Sequence, residues 1–459
     1  MRLSKPPCIA DAYAALALAF GAWFLVMTPP FGVGDETAHF ERSYEVATGA
    51  FLGAEGIPLG MQRLIDDAFG GVKSGATVAS ADFRRWAAIP LDRAEVVAWP
   101  EPVRVVMRLH SPVCYLHLAP VIAVGAAFGA PPLLLLYFGR LTALLVGVFL
   151  VRAAIAAAPP GLRLGLAVIA FFPTAIVYFA GFNIESLLVG LAFLYFALIA
   201  GHCAEPTKRL RAGDVAQLAG LAFLVGQFKT GYLLLPAIAV LLPTEKFADQ
   251  RTRWATLALI VVPGIAASLG WAFAVKNLML GDIAYSTLDG NHVQPAEQLR
   301  SVLSDPLAYL GVVARTLFAS DAPVIAWKTL IGTAGWTNIA LPPPFLALST
   351  VAAALIWMSG EKAPERMRTR SAALLQIGVF AATALAILTL VYFQWNGVGD
   401  AVITGFQGRY LLATLPLLLA SAPMRFTLLQ SPQRRAALAF GASAVSLFAM
   451  AAAVFERYY

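Results

Sequence analysis

Apolar residues in this chain fall in long unbroken runs separated by short polar links. They show neither the alternation of strands nor the three-and-four spacing of surface helices. Runs at 11–28, 134–157, 164–181, 184–201, 254–276, 338–357, 371–394, 409–424 and 436–455 reach or approach the length that carries a helix across a bilayer, about 20 residues. Two shorter runs, 215–228 and 231–243, flank Lys229 and are expected to go out and back. One more, 112–129, holds Pro112, His117 and Pro120 and is expected to lie in the interface or re-enter from the outer side. The pattern predicts an all-α polytopic membrane protein with about eleven transmembrane helices. It is read as a single integral membrane domain over 1–459 with two large extracytoplasmic loops, 29–133 with interfacial helices and 277–337.

Basic residues in the short links set the expected orientation. Arg2 and Lys5 put the N-terminus in the cytoplasm. The clusters Lys208, Arg209, Arg211; Lys246, Arg251, Arg253; Lys362, Arg366, Arg368, Arg370; and Arg425, Arg434, Arg435 fall on the same side only if 112–129 fails to cross. The first run resembles a secretion signal, but Thr28, Pro29 and Pro30 stand where a cleavage site would be, so it reads as an uncleaved helix. A bacterial cytoplasmic membrane with the chemistry on its outer face is the expected location.

Composition agrees. Of 459 residues 59% are hydrophobic and 13% charged, and mean hydropathy is +0.74, too apolar for a water-soluble fold of this size. The net charge of +7 comes from basic clusters between apolar runs, which excludes nucleic acid as the expected partner. Cys8, Cys114 and Cys203 lack metal-ligand spacing. No dinucleotide, Walker A, HExxH or nucleophile-elbow pattern occurs. Activated groups must therefore come from a donor such as a lipid-linked one.

Candidate chemistry gathers on the expected outer face. Pro29 to Gly34 end the first helix, and Asp35 and Glu36 open a new one over 36–48. There Asp35, His39 and Arg42 share a face. Paired carboxylates suit a general base or a divalent-cation ligand; N-capping by Asp35 is the plain alternative. Gly181-Phe182-Asn183-Ile184-Glu185-Ser186 is a second outer turn carrying an acid, with capping by Asn183 and Ser186 as its alternative. Gln227-Phe228-Lys229-Thr230-Gly231-Tyr232 places a lysine in an apolar stretch, where a charge is costly and suggests an anionic partner; snorkelling would be the bland reading. Gly405-Phe406-Gln407-Gly408-Arg409-Tyr410 sets an arginine at a helix start, a ready anion site or an interfacial anchor. Weaker signals are Asp289-Gly290-Asn291-His292, His110, His117, and Trp336 with Asn338.

In order, Pro-Pro-Phe-x-x-x-Asp-Glu-x-x-His-Phe-x-Arg, the outer Asn-x-acid turn, Lys-x-x-Tyr and Gln-Gly-Arg-Tyr resemble an uncharacterised family of bacterial multispanning proteins grouped with the GT-C glycosyltransferases, over about residues 11–425. The resemblance implies a GT-C-like fold and transfer, with inversion, of a sugar from a polyprenyl-phosphate donor to a glycan, lipid or protein acceptor, in cell-envelope biogenesis. Asp35 or Glu36 would be the catalytic base. His39, Arg42, Glu185, Lys229, Tyr232, Gln407, Arg409 and Tyr410 would bind substrate, with Lys229 and Arg409 on the phosphate. A divalent cation, Mg or Mn, would fall to Asp35, Glu36 and Glu185. A lipid-linked saccharide flippase or transporter, and a polysaccharide polymerase or ligase, are the competing expectations.

Overall fold

The computed structural model describes residues 8–53, 56–98, 108–280, 293–359, 363–421, 429 and 431–459. The chain is a helical membrane protein. Among the described residues six helices are long and apolar enough to cross a bilayer: Ile9–Met27, Pro132–Ala157, Glu185–Ala204, Gln250–Ala274, Arg370–Trp395 and Pro432–Tyr458. Two bent pairs raise the number to eight at most. The expected count of eleven is not reached by length and composition.

The shortfall has local causes. The run 164–181 divides into Pro160–Ala170 and Pro173–Phe179, bent by 73°. Pro173 pushes Phe172 out of the helical region, to φ −52 and ψ 129. Residues 166–184 are all buried, and irregular backbone in an apolar setting is tolerated only where protein surrounds it. The run 231–243 forms a 3-10 segment, Thr230–Leu241, with Pro236 inside it. The run 409–424 becomes the 3-10 turn Gly408–Thr414 and the short helix Pro416–Ser421. Ala212–Gly226 and Pro343–Ser359 are helices of 15 and 17 residues. The stretch 112–129 holds a turn, Pro112–Tyr115, and the nine-residue helix Ala119–Ala127, about half the length needed to cross.

One ion pair and one hydrogen bond fix the direction of the central helices. Arg152 pairs with Asp11 at one end, and Arg140 donates to the Thr28 carbonyl at the other, so Ile9–Met27 and Pro132–Ala157 are antiparallel. Pro132–Ala157 and Glu185–Ala204 run parallel, because Gly139 abuts Phe182 while Gly190 abuts Leu150. Gly226 and Gly264 bring Ala212–Gly226 and Gln250–Ala274 into backbone contact, where a Cβ on Gly226 would lie 3.0 Å from the Gly264 carbonyl.

The described residues of the stretch 29–133 are folded. Helices Leu59–Ser74 and Ser80–Ala87 pack on Pro132–Ala157, and Glu36–Ala47 packs on Ala119–Ala127. Gly56–Pro58 pairs antiparallel with Val96–Ala98. A second small ribbon joins Thr333–Ala334 to Ile339–Ala340. The expected loop 277–337 departs further from expectation. Its described part is helical, and Pro306–Phe318 with Ala322–Ile331 forms the second bent pair, at 59°. Leu307 (79%) and Phe318 (86%) are exposed there, as suits contact with lipid. Asp305, Arg315 and Asp321 interrupt the run and hide it from a count of consecutive apolar residues. Asp289 to His292 lie outside the described residues.

Candidate active site

The turn after the first helix carries the strain of the site. Phe31 and Asp35 both adopt positive φ, 61° and 67°, a conformation that costs a side-chain-bearing residue about 1–3 kcal/mol. Asp35 occupies the N-cap position of Glu36–Ala47, yet its side chain makes no capping bond. The capping alternative therefore falls. The carboxylate instead accepts a hydrogen bond from Arg409 Nη2 at 2.5 Å.

Arg409 is the hub. Its side chain is 3% exposed, against 37% for Asp35. Nη1 lies 3.8 Å from Glu185 Oε1. The guanidinium stacks 4.4 Å from the Tyr178 ring centre and 5.2 Å from that of Tyr410. Arg409 Nε and Nη1 and Glu185 Oε2 are buried without a hydrogen-bond partner, and unpaired polar atoms at depth are costly unless a ligand satisfies them. Gly34 admits this packing, since a Cβ there would meet the Tyr178 hydroxyl at 3.0 Å. Asn183 holds the neighbouring turn by donating to the Tyr178 carbonyl and accepting from the Glu185 backbone N–H.

Lys229 reaches the same place from the break before Thr230–Leu241. Its ammonium sits 3.5 Å from the centre of the Tyr410 ring, and among the described residues it forms no ion pair. Tyr232 donates to the Tyr410 carbonyl at 2.7 Å. It is thereby a positioning group for the Arg409-Tyr410 turn. One cleft is lined by Glu185, Lys229, Tyr232, Arg409 and Tyr410. A second, lined by His110, Gln227, Thr230 and Trp271, shares Lys229 as its wall. Gln407 Oε1 is buried and unpartnered.

Electrostatics distinguish the ionisable groups. Burial alone would raise the Asp35 carboxyl, but Arg409, His39 and Lys229 more than offset it, and the group stays below its ordinary value. Burial pushes His39 down to about 4 despite the pull of Asp35. His39 is thus neutral near pH 7, and its Nδ1 shares a hydrogen bond with the Tyr115 hydroxyl at 2.9 Å. His110, pushed down to about 3 chiefly by burial, lies with its ring centre 6.0 Å from that of His39. His117 contacts the Asn183 carbonyl and Ser186.

Two expected site residues are occupied elsewhere. Glu36 is fully buried and receives both forks of Arg140, Nε to Oε1 at 2.7 Å and Nη2 to Oε2 at 2.6 Å. It also accepts from the backbone N–H groups of Val33 and Phe182. Arg140 donates further to the carbonyls of Thr28 and Pro29. Glu36 therefore fastens the strained turn to Pro132–Ala157 and to the Phe182 turn, and a carboxylate so engaged has no lone pair left for an acceptor hydroxyl. Arg42 pairs with Glu45 at 2.7 Å and donates to the Phe51 carbonyl, while Arg108 takes the other oxygen of Glu45. Arg42 holds the outer layer together rather than facing the Arg409 cluster. The metal set Asp35, Glu36 and Glu185 does not fit either. Glu36 is committed to Arg140, and the other two carboxylates approach Arg409. Among the described residues no group of three or more His, Cys, Asp or Glu is arranged to hold a metal ion.

Trp336 donates to the Phe31 carbonyl at 3.0 Å, so it supports the Asp35 turn. Sequence reasoning missed Arg140 and Tyr178. Arg140 carried a signal, a charge in the middle of an apolar run; Tyr178 carried none.

No curated protein and no solved structure matches this chain. Residues 18–418, which contain every residue of the Arg409 cluster, match the model of a family described as "Predicted membrane protein (DUF2142)", and the chain belongs to that family.

Proposed function

We propose that the protein is a membrane glycosyltransferase of GT-C type, moving a sugar from a polyprenyl-phosphate donor to an acceptor hydroxyl on a glycan, lipid or protein. The observation that carries this reading is the Arg409 cluster: a carboxylate, a second acid and two cations with unsatisfied capacity. In the proposed reaction the acceptor oxygen attacks the anomeric carbon and the carbon–oxygen bond to phosphate breaks with inversion. The electron pair leaves on the phosphate, and Asp35 takes the acceptor proton. Lys229 and Arg409 stabilise the charge that develops on the leaving group, in a site where water is scarce.

Asp35 is a weak base while Arg409 holds it. A donor phosphate that engages Arg409 draws positive charge away from Asp35, and the carboxylate becomes more basic when the substrate arrives. Glu185 orients the guanidinium from its other side. The reading puts the cluster on the outer face of a bacterial cytoplasmic membrane, with the N-terminus inside. It also lets the short segments 212–226, 230–241, 343–359 and 408–421 complete the crossings.

The test is transfer of label from radiolabelled polyprenyl-phosphate sugars in membranes containing the wild-type chain. Label appearing on an acceptor supports the reading. Label that stays on the lipid and changes leaflet supports a flippase instead.

A further inference from the structure

The cleft on the far side of Lys229 has no role in the chemistry above. It is lined by Ser268, Trp271 and Ala272 of helix Gln250–Ala274 and by Ile387, Leu390 and Val391 of helix Arg370–Trp395. These two helices make at most marginal contact with each other. Both pack instead on the 3-10 segment Thr230–Leu241, which floors the gap between them. That packing is close, since a Cβ on Gly231 would lie 2.7 Å from Ile387 Cγ1. The outward faces of the two helices are apolar and exposed, with Phe273 at 70% and Leu385 at 42%, as for surfaces that meet lipid tails.

The cleft is polar at its other wall. Gln227, Lys229, Thr230 and His110 stand there, and His110 Nδ1 is buried without a partner. Trp271 fixes the rim by donating to the Leu109 carbonyl at 3.0 Å. Lys229 separates this apolar-mouthed cleft from the one that holds Glu185 and Arg409.

We infer that the gap between helices 250–274 and 370–395 is a lateral lipid portal that binds a long-chain prenyl phosphate, with the hydrocarbon chain against Trp271, Ala272, Ile387 and Leu390 and the phosphate on Lys229. The head group then points past Lys229 toward Arg409 and Asp35. The inference rests on the proposed function for its placing of the sugar, but lipid phosphate binding here does not require transfer. A chain tail of growing length buries more apolar surface in the gap, so affinity rises with tail length until the gap is filled.

The test is equilibrium binding of farnesyl phosphate and isopentenyl phosphate to the purified full-length protein in detergent. Wild type is expected to bind farnesyl phosphate more tightly by at least about ten-fold. Ala272→Trp and Leu390→Trp fill the gap and should shrink that preference to less than about three-fold, leaving isopentenyl phosphate binding unchanged. Lys229→Gln should weaken both ligands alike. Phe448→Trp, on the lipid-facing groove beside Phe20, controls for a general effect of added bulk and should change neither. Equal affinity for the two phosphates in wild type, or a preference that survives both tryptophans, overturns the portal. Tail-dependent binding without any sugar transfer would retain the portal and remove the glycosyltransferase reading.

Discussion

The Asp35 carboxylate and the Arg409 guanidinium meet at 2.5 Å although 374 residues of chain separate them. The pair joins the turn after the first helix to the turn Gly408–Thr414, and its two members have different work in the proposed reaction. Arg409→Ala should weaken donor binding by about 10–100-fold, the range for losing a charge-assisted hydrogen bond at a buried site. Arg409→Lys should not restore it fully, because an ammonium cannot reach Asp35 and Glu185 while stacking on Tyr178. Donor affinity measured with labelled lipid checks both.

Glu36 predicts the opposite phenotype from its neighbour. Breaking a buried ion pair by removing one partner costs about 3–5 kcal/mol. Glu36→Gln and Arg140→Met should therefore lower the melting temperature in detergent sharply, whereas Asp35→Asn should leave it near wild type. Retained folding in Glu36→Gln together with lost transfer would return Glu36 to the chemistry.

Lys229 makes no ion pair among the described residues and rests on the Tyr410 ring. Lys229→Ala should reduce affinity for the lipid phosphate by about ten-fold or more. Tyr410→Leu removes the cation–π contact and should cost a smaller factor, about 2–5-fold. Titration with prenyl phosphate separates the two.

Stability should depend on pH on both sides of neutral. His39, His110 and His117 have folded values pushed down to about 4, 3 and 4, largely by burial, so between their ordinary value and those values the unfolded chain binds more protons. Stability is then full above about pH 6.5 and falls as pH drops toward 4. Glu41 behaves inversely. Burial, with Glu45 and Asp66 nearby, raises it to about 8, so its contribution is present below the ordinary carboxylate range and is lost as pH rises toward 8. His110→Gln should flatten the acid limb, and Glu41→Gln the alkaline one, in melting curves taken from pH 4 to 9.

Much of this was legible in the sequence, for a physical reason. Long apolar runs leave lipid as the only solvent, and a lysine or arginine within them must be provided for. That logic found Lys229 and Arg409, and the turns bearing Asp35 and Glu185, all of which enter one cluster. The same logic applied to Arg140 would have found the partner of Glu36, but two arginines, Arg140 and Arg152, in 26 residues did not interrupt the run. Adjacent Asp35 and Glu36 read as a pair because spacing cannot show that positive φ sends them to different partners. The broken helices escaped notice because Pro173 and Pro236 act through hydrogen bonds and φ, which a hydropathy count does not register.

The most direct measurement is the rate of sugar transfer by Asp35→Asn, set beside its donor affinity and melting temperature. Asp35→Asn is expected to lower kcat by about 10²–10⁴-fold, the scale of a lost general base, with donor affinity and melting temperature close to wild type. Transfer at the wild-type rate in a folded Asp35→Asn protein would contradict Asp35 as the base.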